Sequence, residues 1–224
     1  MRFVLFIALA CALPVRADDT PTMEEKAAID AINRLGGTGS IDSKLPADAR
    51  VVAKFEAATD VMLASLKKYP HIGGIDVFDA THFGEKGLTA LKDLPGLRKL
   101  VLGKAALTPN GLAAIGQYKE LRHLGLVNCG VTDASLAGLK KLTRLDHLSI
   151  SDNPKITDKG MLTVKEFSRL QVLYLGNTSV GDKGLMELKG LDGLRTLSVV
   201  GTKITPDAAE KFADDMPNLR TVRR

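Results

Sequence analysis

The chain has 224 residues, 45% of them hydrophobic and 25% charged, with a formal net charge of +5 at pH 7. Both fractions are those of a globular protein, which argues against a disordered, collagenous or polytopic membrane chain, and the length allows one or two domains. Aromatic residues make up only 4% and Trp is absent, so the core must be built from aliphatic side chains.

Residues 1–17 read as a secretory signal peptide. Met1-Arg2 gives a positive start and residues 3–13 form an uncharged apolar run. Pro14 breaks that run, and Val15 and Ala17 put compact residues at the −3 and −1 positions before Asp18. The apolar run is too short to span a bilayer, which needs about 20 residues. Cys11 follows Ala8, Leu9 and Ala10, a poor match to the Leu-x-small lead of a lipidated cysteine. Cleavage near Ala17 predicts an exported mature chain, secreted or periplasmic, with no membrane span. Its 29 Lys and Arg against 26 Asp and Glu leave a net charge of +3. Cys129 is then the sole cysteine, so no intramolecular disulfide can staple the fold.

Residues 23–35 predict a helix. Ala28, Ala31, Ile32 and Leu35 fall on one face, and Thr20-Pro21 and Gly36-Gly37 bracket the segment. Residues 36–49 read as a polar loop. Residues 18–50 are therefore expected to form an N-terminal capping helix and loop.

From residue 51 onward a period of about 24 residues organises the sequence. The pairs Val51/Ala53, Ile75/Val77, Leu100/Leu102, Leu124/Leu126, Leu148/Ile150, Leu173/Leu175 and Leu197/Val199, with a final Val222, each read as a short strand with one buried face. A helix start follows each pair. Thr59, Thr108, Thr132, Thr157 and Thr205 stand where a hydroxyl can cap an orphan N–H. An acidic residue or Pro comes next, suited respectively to the positive end of the helix dipole and to the first helical position. Apolar residues at steps of three then mark short helices, as in Leu88, Leu91, Leu94 and Leu97. One strand and one short helix cannot bury their own apolar faces, so neighbouring copies must stack.

The motif I-T-D-x-G-L-x-x-L-x-x-L-x-x-L-x-x-L-x-L resembles the leucine-rich repeat. More closely, it is similar to the 24-residue T-D-x-G-L type of ribonuclease-inhibitor-like, GALA-like and F-box-receptor repeats. About seven copies cover residues 51–224. The resemblance implies an α/β fold: a right-handed solenoid with parallel strands on the concave face and helices on the convex face. No F-box precedes the repeats, and the leader argues against that role. Cys129 falls at the family's inward-pointing Asn/Cys position, shared by Asn153 and Thr178, which implies a buried structural thiol.

The residues between and beside each apolar pair point outward and form three columns. The leading column runs Arg50, Gly74, Lys99, His123, His147, Val172, Thr196. The middle column runs Val52, Asp76, Val101, Gly125, Ser149, Tyr174, Ser198, and the trailing one Lys54, Phe78, Gly103, Val127, Ser151, Gly176, Val200. Phe78, Val101, Val127, Val172, Tyr174 and Val200 set apolar groups where water is expected. They read either as a partner-binding patch or as β-branched and aromatic residues that a sheet tolerates.

His123 and His147 sit on adjacent strands, with Cα atoms expected about 4.8 Å apart. With Asp146 beside them they could share a metal ion, but the column holds no third ligand, so they read by default as solvent-facing or partner-contacting. No G-x-S-x-G, H-E-x-x-H, C-x-x-C or P-loop motif is present, and the scattered lysines do not suggest nucleic-acid binding. The sequence thus predicts an exported, non-catalytic module without cofactor or metal that captures a protein partner on its concave face. A structural envelope component and a His-based metal enzyme are the alternatives.

Overall fold

A computed structural model describes residues 20–223, so the leader expected over residues 1–17 lies outside the described residues. Helix α1 (Met23–Arg34) starts at Thr22. There the hydroxyl accepts from Glu25 N, and the Glu25 carboxylate accepts the Thr22 N–H at 2.8 Å. Its face of Ala28, Ala31 and Ile32 is buried against β1 (Thr38–Ile41) and β2 (Val51–Ala57). Arg50 clamps the buried Glu25 with two bonds of 3.1 and 3.0 Å. Burial pushes the Glu25 pKa up. The Arg50 bonds and the Thr22 N–H outweigh it and hold the carboxyl below its ordinary range.

β1 lies inside the segment expected to be a polar loop. It pairs antiparallel with β2, from Thr38↔Lys54 to Ile41↔Val51. TGSI has no alternating apolar pattern, which is why the strand is silent in the sequence. It forms because β2 presents an open edge with unpaired N–H and C=O groups that need covering.

Seven further strands follow in parallel, each against its predecessor: β3 (Ile72–Asp79), β4 (Lys99–Gly103), β5 (His123–Val127), β6 (His147–Ser149), β7 (Val172–Tyr174), β8 (Thr196–Ser198) and β9 (Thr221–Arg223). Between them run the short helices α2 (Asp60–Ser65), α3 (Glu85–Leu91), α4 (Pro109–Ile115), α5 (Asp133–Leu136), α6 (Asp158–Val164), α7 (Asp182–Met186) and α8 (Pro206–Asp215). The pairings align Ile75, Leu100, Leu124, Leu148, Leu173, Leu197 and Val222 side by side. All but the last, which is half-buried, lie in one continuous aliphatic core.

The first copy departs from the expected register. Ala53 pairs with Ile75 and Phe55 with Val77, so the strand apolar pair is Ala53/Phe55. Val52 then pairs with Gly74 and is buried, and Lys54 takes the middle column opposite Asp76. Arg50 points to Glu25 instead of joining the sheet's leading column. The cause is a bulge: Val51 pairs with Ile72 and Val52 with Gly74, leaving Gly73 unpaired. A Cβ on Gly73 would lie 1.9 Å from the Ala49 carbonyl oxygen, so only glycine allows this approach.

The acidic residues at the helix starts do more than answer the helix dipole. Asp133 accepts from Thr157 N at 2.8 Å and from the Thr157 hydroxyl at 2.6 Å, one rung further on. Asp182 holds Thr205 in the same two-point way, at 2.7 and 3.0 Å, and Asp158 accepts from Gly181 N at 2.7 Å. Each carboxylate therefore caps the next rung's helix. Where Pro109 replaces the acid, the following cap Thr132 receives no such bond, and its N–H donates to Ser135 Oγ at 2.8 Å.

Inside the solenoid, Asn153 donates to three carbonyls, of Leu126, Ile150 and Ser151. It also accepts from Cys129 N and Val131 N. Cys129 is fully buried, its thiol donates to the Leu102 carbonyl at 3.3 Å, and burial pushes its pKa up to about 11. The thiol is thus a structural group.

Asp133→Ala should cost about 1–3 kcal/mol, because the Thr157 N–H and hydroxyl lose their acceptor. Asn153→Ala should cost more, since the Cys129 and Val131 N–H groups and the Leu126 and Ile150 carbonyls each lose a buried hydrogen bond. Urea midpoints at constant m-value would test both.

Candidate functional site

The sheet's outward face carries the geometry of interest. Just beyond the trailing column the chain turns through the left-handed region once per rung, at Lys104, Asn128, Asp152, Asn177 and Gly201, with φ between 53° and 69°. Asn, Asp and Gly are the residues that adopt this conformation most readily. The turn lifts a row of polar side chains along one edge of the strands. Asn177 Nδ2 donates to Asp152 Oδ1 at 2.7 Å, and Lys104 Nζ reaches Asp79 at 3.3 Å.

Between this polar row and the strands lies a groove of about 790 Å³. Its lining combines Phe78, Val101 and Val127 of the strands with Lys104, Asn128, Asp152 and Asn177 of the polar row, together with Asp76 and Pro154. Phe78 is 60% exposed, a solvent-facing aromatic on a strand. Asp76 is 8% exposed. Its Oδ2 accepts from Lys99 Nζ at 2.7 Å, while its Oδ1 is buried with no hydrogen-bond partner.

A second recess of about 650 Å³ sits at the opposite ends of the strands, below the loop of residues 42–46. His123 and His147 line it with Arg98, Lys99, Arg122 and Asp146. The two imidazoles stack with centroids 5.2 Å apart and planes 7° from parallel. His147 Nδ1 is 2.6 Å from Asp146 Oδ1. Burial, then the neighbouring His147 and Lys99 charges, push the His123 pKa down to about 4. Among the described residues no group of three or more His, Cys, Asp or Glu side chains could hold a metal ion.

Of the residues expected to contact a partner, Phe78, Val101 and Val127 therefore converge on one groove, and His123 and His147 on another recess. Val172, Tyr174 and Val200 stand on the same face but line neither, with Val200 45% exposed. Sequence reasoning missed the polar row. Its signal was available, since Lys104, Asn128, Asp152, Asn177 and Gly201 recur at the repeat spacing and four of these five residues are Asn, Asp or Gly, which favour left-handed backbone.

A leucine-rich-repeat family model matches residues 141–164. No curated protein matches the sequence. Solved structures similar to the chain include an internalin (inlF) from Listeria monocytogenes, with TM-score 0.54 and 20% identity over 72% of this chain. The chain spans 43% of that protein's length. An internalin C2 (inlC2) from the same organism gives TM-score 0.52 and 21% identity, covering 76% of this chain and 79% of that one. TLR13, solved in complex with ssRNA13, gives TM-score 0.55 and 18% identity, covering 70% of this chain and 22% of that one. With the strand register above, these likenesses define the fold as an α/β leucine-rich-repeat solenoid. No helix among the described residues is long and apolar enough to cross a membrane.

The His123 pKa carries a stability prediction. In the unfolded chain this imidazole takes a proton near pH 6.5, whereas the folded state resists it down to about 4. The unfolded state therefore binds more protons between these values, and stability is lost as pH falls from 6.5 towards 4. His123→Asn should flatten this part of the Tm-against-pH curve, by on the order of 1–2 kcal/mol after allowance for partial exposure.

Proposed function

We propose that the chain is an exported, non-catalytic binding module that captures a protein partner on its concave face. The groove beside Phe78, Val101 and Val127 is the main point of engagement. The observation that carries this reading is a groove of about 790 Å³ lined jointly by apolar strand residues, including a largely exposed Phe, and by the polar row. An open apolar cleft rimmed by polar groups is suited to receive side chains of another protein, with apolar anchors supplying most of the energy. The leader-like pattern of residues 1–17 supports export.

The RNA-bound TLR13 structure places nucleic-acid recognition on this kind of fold. Here the basic groups of the second recess stand among Asp42 and Asp146, and Lys99 and Lys104 are both engaged by carboxylates. A run of uncompensated cations with aromatic platforms, the arrangement that tracks a nucleic-acid backbone, is not what these residues form. That contrast favours a protein partner.

Phe78→Asp and Val127→Asp should each abolish retention of the partner recovered by affinity capture from the native extracellular or periplasmic fraction, with Tm nearly unchanged. Leu162→Asp, at an exposed helix position outside the sheet, should leave capture intact. Leu126→Ala, by contrast, should lower stability by about 2–5 kcal/mol as a core truncation. Retained capture in both groove variants would refute the reading.

A further inference from the structure

We propose that the groove takes a basic side chain, lysine or arginine, presented by the partner segment; this rests on the reading of the concave face as a protein-binding surface. Two features of the groove select that chemistry together.

The first is its amphipathic cross-section. Phe78, Val101 and Val127 offer apolar surface along which an aliphatic stem can lie, while Lys104, Asn128, Asp152 and Asn177 line the same groove with polar groups. Long basic side chains suit such a surface, because they bury their methylenes and keep the charged head hydrated. A short polar side chain would leave the apolar surface uncovered.

The second is the charge and hydrogen-bond balance. Two carboxylates, of Asp76 and Asp152, line the groove against one ammonium group, of Lys104, which is itself engaged by Asp79, while Lys99 and Lys54 flank Asp76 from the neighbouring strands. The Lys99 ammonium takes Asp76 Oδ2 and leaves Oδ1 buried with no donor. Buried carboxylate oxygens are normally hydrogen-bonded, so this one marks a missing N–H. The terminal torsion of an aspartate is soft, so a small turn presents Oδ1 to an arriving donor while Lys99 stays close. Asp152 adds a second acceptor in the groove, since one of its oxygens is taken by Asn177 and the other is not. An acidic side chain would meet the excess of carboxylates. A purely apolar one would cover the cleft but leave Asp76 Oδ1 without a donor and further desolvate Asp152.

The test uses the uniformly ¹⁵N-labelled protein and four small probes: the N-acetyl N-methylamides of lysine, arginine, norleucine and glutamate. Norleucine matches the lysine stem without its charge. The lysine and arginine probes should shift the amide signals of Val101, Val127 and Asn128, and bind roughly fivefold tighter than norleucine, the ratio of a solvent-accessible ion pair. Glutamate should be weakest. Asp76→Asn and Asp152→Asn should each remove most of the preference for lysine over norleucine. Asp152→Asn keeps the test decisive even if Asp76→Asn unfolds, because Asn already occupies the same left-handed position at residues 128 and 177. Equal or tighter binding of norleucine would overturn the inference and leave the protein-binding groove standing. An unchanged preference in Asp152→Asn, or no response to any probe, would also overturn it. The underlying reading fails separately, through partner capture that survives both Phe78→Asp and Val127→Asp.

Discussion

Most strands of this protein are three to five residues long, and each helix after the first runs for only one to three turns. No rung can bury its own leucines or satisfy its own backbone, so every rung depends on lateral contact with the next. The dependence is met three times over. Strand N–H and C=O groups pair in the parallel sheet, the leucines at one register merge into a single core, and polar side chains reach across the repeat. Asp133 capping the helix after Thr157, and Asn153 gathering five backbone groups from adjacent loops, belong to the last kind. Stability in such a stack is close to a sum of nearest-neighbour terms.

The same constraint shapes the exposed face. The chain must leave each strand and turn towards the helix within a few residues, and it does so through a left-handed residue at a fixed place in four successive rungs and at Gly201 in the next. Because the turn recurs at the repeat spacing, its side chains line up as a polar row. The groove beside it follows from the backbone path. What fills its walls is free to vary, since residues pointing away from the core carry no packing burden. Phe78, Val101 and Asp76 occupy such positions, and they give this stretch of the face its distinct chemistry.

The ends of the stack show where periodic reasoning stops. At the N-terminal end the repeat shortens, from the steps of 24 or 25 seen elsewhere to 22 between Ala53 and Ile75. Val51, Ala53 and Phe55 lie on one alternation, so two apolar pairs fit it, and the repeat step of 24 residues selects Val51/Ala53. The bulge at Gly73 and the cap above it select Ala53/Phe55. β1 is invisible for a related reason: its residues join the sheet to cover an edge, and edge covering leaves no hydrophobic period in the sequence. At the other end, Val222 does complete the leucine register as β9, though only half-buried.

Periodicity, cap residues and the inward Asn/Cys position were legible in the sequence, because each is a local requirement repeated in every rung, and repetition makes a weak local preference conspicuous. The columns on the outward face were legible from β3 to β8 for the same reason. Tertiary structure alone decided the first register, the reach of each helix-start carboxylate into the following rung, and the division of the outward residues into two separate recesses. It alone left one oxygen of Asp76 without a donor. These outcomes depend on which atoms of different rungs meet in space, a relation that the order of residues along one rung does not contain.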